Sequence, residues 1–141
     1  MYKYRCKILR VVDGDTVDVD IDLGFGVWLH KERIRIMGID TPETRTRDLV
    51  EKQFGNLAKD FVKDLMPVGS SQIIMTTKDK TGKFGRILGD FSIDDKLFTE
   101  IMIEKNLAVR YHGQDKDDVE EEHLRNREIL IENKSIVLKE I

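Results

Sequence analysis

From Tyr2 to Asp22 the chain runs in period two. Tyr4, Cys6 and Ile8 alternate with Arg5, Lys7 and Leu9; after a turn at "DGD" (Asp13 to Asp15), Val17, Val19 and Ile21 alternate with Asp18, Asp20 and Asp22. Successive side chains on a strand point to opposite faces, so this pattern predicts a β-hairpin with one face inward. The glycine-bearing stretch "LGFGVWLHKE" connects it to a third strand, "RIRIMGID", in which Ile34 and Ile36 share a face. A polar loop containing Pro42 runs to about Asp48, and the period then changes. Val50, Phe54, Leu57, Phe61 and Leu65 fall at helical spacing, and Pro67 to Ser71 ends that helix. "SQIIMTTKD" and "FGRILGDFSI", joined by a turn at "KTGK", read as a second hairpin. "DDKLFTEIMIEKNLA" predicts a helix capped by Asp, and a charge-rich third helix follows from about Asp118 to Asn133. Five strands with a helix between the third and fourth predict a small closed barrel of the OB type carrying three α-helices, an α+β fold. No repeat or linker interrupts the chain, so residues 1–141 are expected to form one domain.

Composition narrows the class. Hydrophobic content of 40% and charged content of 36% over 141 residues fit a globular chain with a real core. A formal charge of −3 and a pI near 5.7 argue against a protein that coats nucleic acid by bulk positive charge, while leaving room for a local basic site. Cys6 is the single cysteine, which excludes an internal disulfide and any cysteine zinc cluster. "MYKYRCKILR" has no signal-peptide apolar run and no stretch reaches membrane-spanning length, so an intracellular protein without membrane attachment is the expectation.

The chemistry concentrates around "IDTPETRTRD". Asp15 at a hairpin turn and Asp40 at the end of the third strand could meet in a small barrel. With the Thr41 backbone carbonyl and waters they would offer a hard cation an all-oxygen site, more suited to calcium than to magnesium. The plain alternative is that both are turn formers. Glu43 could accept a proton from an attacking water, or could be a solvated loop carboxylate. Arg35 and Arg86 could fork onto a phosphate, or could serve as surface ion-pair partners. "KDKTGKFGR" fails the Walker spacing and reads as a turn, with Lys83 and Arg86 able to face a ligand. Asp18, Asp20 and Asp22 fail the EF-hand pattern, since Leu23 and Leu29 occupy the positions requiring Gly and Glu. Tyr111 could stack on a base or bond a phosphate, and could equally close the barrel edge. His123, inside "EEEHLRNRE", reads as structural or solvated.

Five segments in order, "VVDGDTVDV", "RIRIMGIDTPET", "GKFGRILGD", "NLAVRY" and "EEHLRNRE", resemble the thermonuclease or staphylococcal nuclease-like family, and together span most of the chain. The resemblance implies the five-stranded OB barrel with three helices, and a calcium-dependent phosphodiesterase that cuts DNA and RNA to leave 3′-phosphate ends. By motif position it implies Asp15, Asp40 and the Thr41 carbonyl as calcium ligands, and Arg35 and Arg86 on the scissile phosphate. It further implies Glu43 as general base, Lys83 and Tyr111 on the nucleotide, single strands as the preferred substrate, and a monomer. Departures are Phe84 where well-studied members carry tyrosine, Gly82 in place of an acidic residue, and Tyr111 alone from a tyrosine pair. Two rival classes are a non-catalytic OB-type nucleic-acid-binding module and a structural module stabilised by calcium. Bacterial and viral origins fit the sequence equally.

Overall fold

The computed structural model describes residues 2–81 and 85–139. The chain runs β1 (Tyr2–Asp13), β2 (Thr16–Asp22), β3 (Trp28–Ile36), β4 (Ile39–Asp40), α1 (Leu49–Leu65), β5 (Ser71–Thr81), β6 (Ile87–Ile93), β7 (Lys96–Leu97), α2 (Phe98–Glu104), β8 (Val109–Arg110) and α3 (Lys116–Glu132). Strands β3-β2-β1-β5-β6 lie in that order, and a parallel β3–β6 ladder closes them into the five-stranded barrel expected from the sequence. The three helices are present as expected. Three two-residue strands add to the plan: β7 extends β6, while β4 and β8 pair with each other.

Alternation places the core. Ile8, Val17, Val19, Ile34, Ile36, Ile74 and Phe91 are buried, and Phe54, Ala58, Val62 and Met66 from α1 and its C-terminal end join them in one hydrophobic cluster. In β3 the same alternation turns Arg35 away from the core between Ile34 and Ile36. Register shifts between Ile8 and Arg10, and between Val11 and Asp13, bend β1 close to the turn that carries Asp15. Cys6 is buried, and burial pushes its thiol up to about 12, which leaves it unreactive at neutral pH. Among the described residues no helix is long and apolar enough to cross a membrane.

The start of α2 differs from the expectation. Asp94 and Asp95 do not cap it: both have positive φ, +49° and +65°, and together they form the two-residue turn between β6 and β7. Paired positive-φ residues match the right-handed strand twist, which is why Asp is tolerated there. The helix begins at Phe98, and its N-cap Leu97 has no side-chain acceptor. The carboxylate comes instead from β6. Asp90 accepts from the Thr99 amide at 3.3 Å and the Thr99 hydroxyl at 2.8 Å, and from the Phe91 amide at 2.8 Å. Phe98 beside it meets Phe91 edge-on, with centroids 6.1 Å apart. Asp90→Ala is therefore expected to lower stability by about 2 kcal/mol, the usual scale for a cap combined with buried donors left unpaired. Asp95→Gly, which relieves a left-handed residue, should be neutral or mildly stabilising. Urea midpoints of the two variants check this assignment, and a loss at Asp95 with none at Asp90 would return the cap to the turn.

Candidate active site

The site forms where the β1–β2 turn, the end of β3 and the loop after β4 converge on α1. The Ile36 amide donates to the Asp15 carbonyl at 2.8 Å, pinning the turn to the end of β3. Strand β4 pairs with β8, Asp40 opposite Val109, and the Tyr111 amide donates to the Gly38 carbonyl at 2.8 Å. This small ladder sets Asp40 and Tyr111 on one side of the barrel.

Helix α1 supplies the floor. A Cβ on Gly55 would stand 2.5 Å from the Glu43 carbonyl oxygen and 2.9 Å from that of Pro42. The loop backbone therefore lies directly on the helix at the one residue without a side chain. A Cβ on Gly14 would come within 3.1 Å of both Ala58 and Thr41, so the β1–β2 turn rests on the same face. Asp48 caps α1 through the Val50 and Glu51 amides, and Glu51 reaches back to accept the Glu43 amide at 3.0 Å. The Thr44 hydroxyl bonds Asp13 from the other side.

Arg35 draws the carboxylates together. Its guanidinium donates to the Ile36 carbonyl at 2.7 Å and the Ile39 carbonyl at 3.0 Å. One nitrogen, Nη2, lies 3.4 Å from Asp15 Oδ2 and 4.0 Å from Asp40 Oδ1. Asp15 also accepts from the Thr16 hydroxyl at 3.0 Å and the Thr41 amide at 3.4 Å. Burial raises the Asp15 carboxyl pKa and Asp40 adds to the rise, against the opposing pull of Arg35 and Thr16. Glu43 is raised as well, by burial first and then by Glu51, Asp13, Asp40 and Asp15. Glu43 shares a cavity wall with Asp40 and Glu51.

Asp15, Arg35, Asp40, Thr41 and Glu43 are thus brought together. Arg35, Asp40, Thr41, Glu43 and Tyr111 line one cavity of about 590 Å³, a volume that suits a single nucleotide. Arg86 is half-buried at the head of β6, on the strand parallel to the one that carries Arg35. Lys83, with Gly82 and Phe84, lies outside the described residues.

The donor set fits a hard cation. Asp15 and Asp40 both approach the Arg35 guanidinium, and among the described residues the buried Thr41 hydroxyl oxygen has no hydrogen-bond partner. Among the described residues no group of three or more His, Cys, Asp or Glu forms a complete cage. Two carboxylates, a carbonyl and water make the open, irregular oxygen coordination that calcium accepts.

Two features escaped the sequence reading. Of the two readings of His123, structural or solvated, the structural one holds, but its partner was not foreseen: its Nε2 lies 2.8 Å from Asp40 Oδ2 and its side chain is only 14% exposed. Helix α3 folds over the cavity and brings it there, 83 residues along the chain from Asp40. Gly55 was the other. A glycine inside a helix costs about 1 kcal/mol against alanine, which is the signal that a backbone passes close by.

A family model described as "Staphylococcal nuclease homologue" matches residues 33–135. The chain is 32% identical over 104 residues to "Thermonuclease" of Staphylococcus hyicus, covering 72% of this chain and 56% of that protein. It is 31% identical over 99 residues to "Endonuclease YncB" of Bacillus subtilis (strain 168), covering 70% and 44%. To "Protein ParB" of Escherichia coli it is 27% identical over 124 residues, covering 80% and 62%. The chain spans about half the length of the Staphylococcus hyicus and Bacillus subtilis relatives it matches.

Two outcomes follow for the free protein. Gly55→Ala should destabilise by about 1–3 kcal/mol, because overpacking against the Glu43 backbone outweighs the better helix propensity. A higher urea midpoint would show that the loop simply gives way. Glu43→Gln should stabilise the chelator-treated protein at neutral pH. A carboxyl whose folded pKa is raised binds its proton more tightly than the unfolded chain does, so its contribution is fully present below the usual carboxylate range. That contribution is lost as pH rises through the folded pKa. The Tm gain should accordingly vanish in acid, and a gain that persists there would assign it to packing.

Proposed function

Because the chain belongs to the staphylococcal nuclease homologue family, we propose that it is a calcium-dependent nuclease hydrolysing phosphodiester bonds of DNA and RNA to leave 3′-phosphate ends. The observation that carries this reading is the single guanidinium of Arg35 within 4.0 Å of both Asp15 and Asp40, on the cavity wall shared with Glu43. Asp15, Asp40 and the Thr41 carbonyl would hold the calcium ion, which when bound supplies positive charge to the phosphate and lowers the pKa of a coordinated water.

The remaining roles belong to the protein. Glu43, its carboxyl raised above the usual range by burial and the neighbouring carboxylates, accepts a proton from water, and the oxygen adds to phosphorus. The P–O5′ bond breaks as the new P–O bond forms; the phosphate stays on the 3′ oxygen, and the leaving 5′ oxygen takes up a proton. Arg35, joined by Arg86, turns its forked donors to the equatorial phosphate oxygens, where negative charge accumulates. Backbone carbonyls 36 and 39 already hold the Arg35 guanidinium, so little ordering is needed when the phosphate arrives. Lys83 and Tyr111 contact the nucleotide. A cavity of nucleotide size, in a chain of net charge −3, favours a flexible single strand over a duplex. We assign the working unit as a monomer.

Incubation of the protein with single-stranded DNA and with RNA, in calcium and in chelator, tests the proposal. Cleavage should require calcium and leave 3′-phosphate termini. Glu43→Gln should lose about 10²–10⁴-fold in kcat, the range for a positioned base, while retaining oligonucleotide binding. Binding without cleavage in calcium, magnesium or manganese would replace the enzyme with a nucleic-acid-binding barrel.

A further inference from the structure

Helix α3 has an unusual composition for a helix laid on a barrel. Across its 17 residues only Leu130 is buried, so little of it is held by the core. Lys116, Glu120, His123 and Arg127, spaced three or four apart, line the same cavity as Arg35 and Glu43, with Val119 and Leu124 between them. His123 fixes this face to Asp40.

Arg127 stands apart from the other arginines. Arg33, Arg110 and Arg125 each pair with a carboxylate at 2.8–3.1 Å, and Arg5, Arg10, Arg45 and Arg47 are exposed to water. Arg127 is half-buried and, among the described residues, makes no ion pair, and its Nε is buried without an acceptor. Its guanidinium carbon sits over the Phe54 ring of α1, 5.3 Å from the centroid. A partly desolvated cation with an unsatisfied donor is costly unless an anion completes it. Arg127 lines the cavity, and a guanidinium offers parallel donors that match two oxygens of one phosphate.

We propose that Arg127 binds a second backbone phosphate of the nucleic acid, adjacent to the one held by Arg35, and that α3 is the second wall of the substrate channel. Arg127 lies one helical turn, about 6 Å, beyond the residue that touches Asp40, a step comparable to one nucleotide of an extended strand. This assignment rests on the nucleic-acid reading of the cavity and extends it from one phosphate to two.

The test is equilibrium binding of a fluorescent oligothymidylate in chelator, across a salt series, with calcium-supported cleavage assayed separately. Arg127→Gln should weaken binding about tenfold and reduce the slope of log K against log[salt] by about 0.7, the value for one phosphate contact on a single strand. Arg127→Lys, which keeps the charge and most of the packing on Phe54, should keep the slope and lose affinity several-fold; it carries the test if the glutamine variant is unfolded by circular dichroism. Arg125→Gln removes the same charge from the solvent side of α3, where Glu121 pairs with it, and should match wild type. An unchanged slope in Arg127→Gln, an equal fall in Arg125→Gln, or no binding by the wild type overturns the inference. Binding with the expected slopes but no cleavage in calcium overturns the nuclease reading and leaves the role of Arg127 standing. Cleavage with unaltered slopes does the reverse.

Discussion

The contact on which the site depends is between backbone and backbone: the Pro42–Glu43 peptide lying on Gly55 of α1. At that distance even a methyl group has no room. The contact fixes the height of the loop above the helix, and Asp48 and Glu51 then fix its direction by capping α1 and taking the Glu43 amide. Gly14 on Ala58 and Thr41 repeats the device for the turn carrying Asp15. Two loops from opposite ends of β2–β3 are thereby set on one rigid surface. Without such a floor, carboxylates on separate loops would drift apart by mutual repulsion, since charge alone gives them no reason to converge.

Convergence has an electrostatic cost, and the distribution of groups shows where it is met. Burial and neighbouring negative charge raise both Asp15 and Glu43, and Arg35 offsets part of this at Asp15. The guanidinium is shared between two carboxylates and two carbonyls rather than committed to one pair. A cation so divided is positioned by many weak ties and can turn toward an added phosphate without leaving any one partner stranded. Stability and site chemistry therefore oppose each other here, as is common where like charges are gathered for use.

The barrel was legible because period-two alternation in Tyr4–Ile8, Val17–Ile21 and Ile34–Ile36 is a direct print of one inward face, although β3 stops at Ile36 and a turn at residues 37–38 separates it from the two-residue strand that carries Asp40. The "DTPE" turn was legible because its residue types are uncommon together and stand at the end of such a strand. What stayed hidden has a common physical cause: it depends on partners distant in sequence. Asp94 and Asp95 look like a helix cap, because a local reading sees Asp before an apolar run. Asp90 takes the role because the tight turn folds the strand back beside the helix end. His123 reads as structural or solvated within a charged run, because nothing local marks the Asp40 carboxylate as its partner.

Helix α3 shows the same limit from the opposite direction. A helix with one buried residue carries too weak an apolar stripe for periodicity to predict where it docks. It docks nonetheless, through His123 on Asp40, Asn126 on the Ala108 carbonyl at 3.3 Å, and Arg127 over Phe54. These are polar and cation–π contacts, and two of them reach the rim of the cavity. A helix held mainly by its core face could be exchanged for any other amphipathic helix of equal length. One held by such contacts is tied to the identity of the residues it touches, so its attachment and the chemistry of the cavity cannot vary independently.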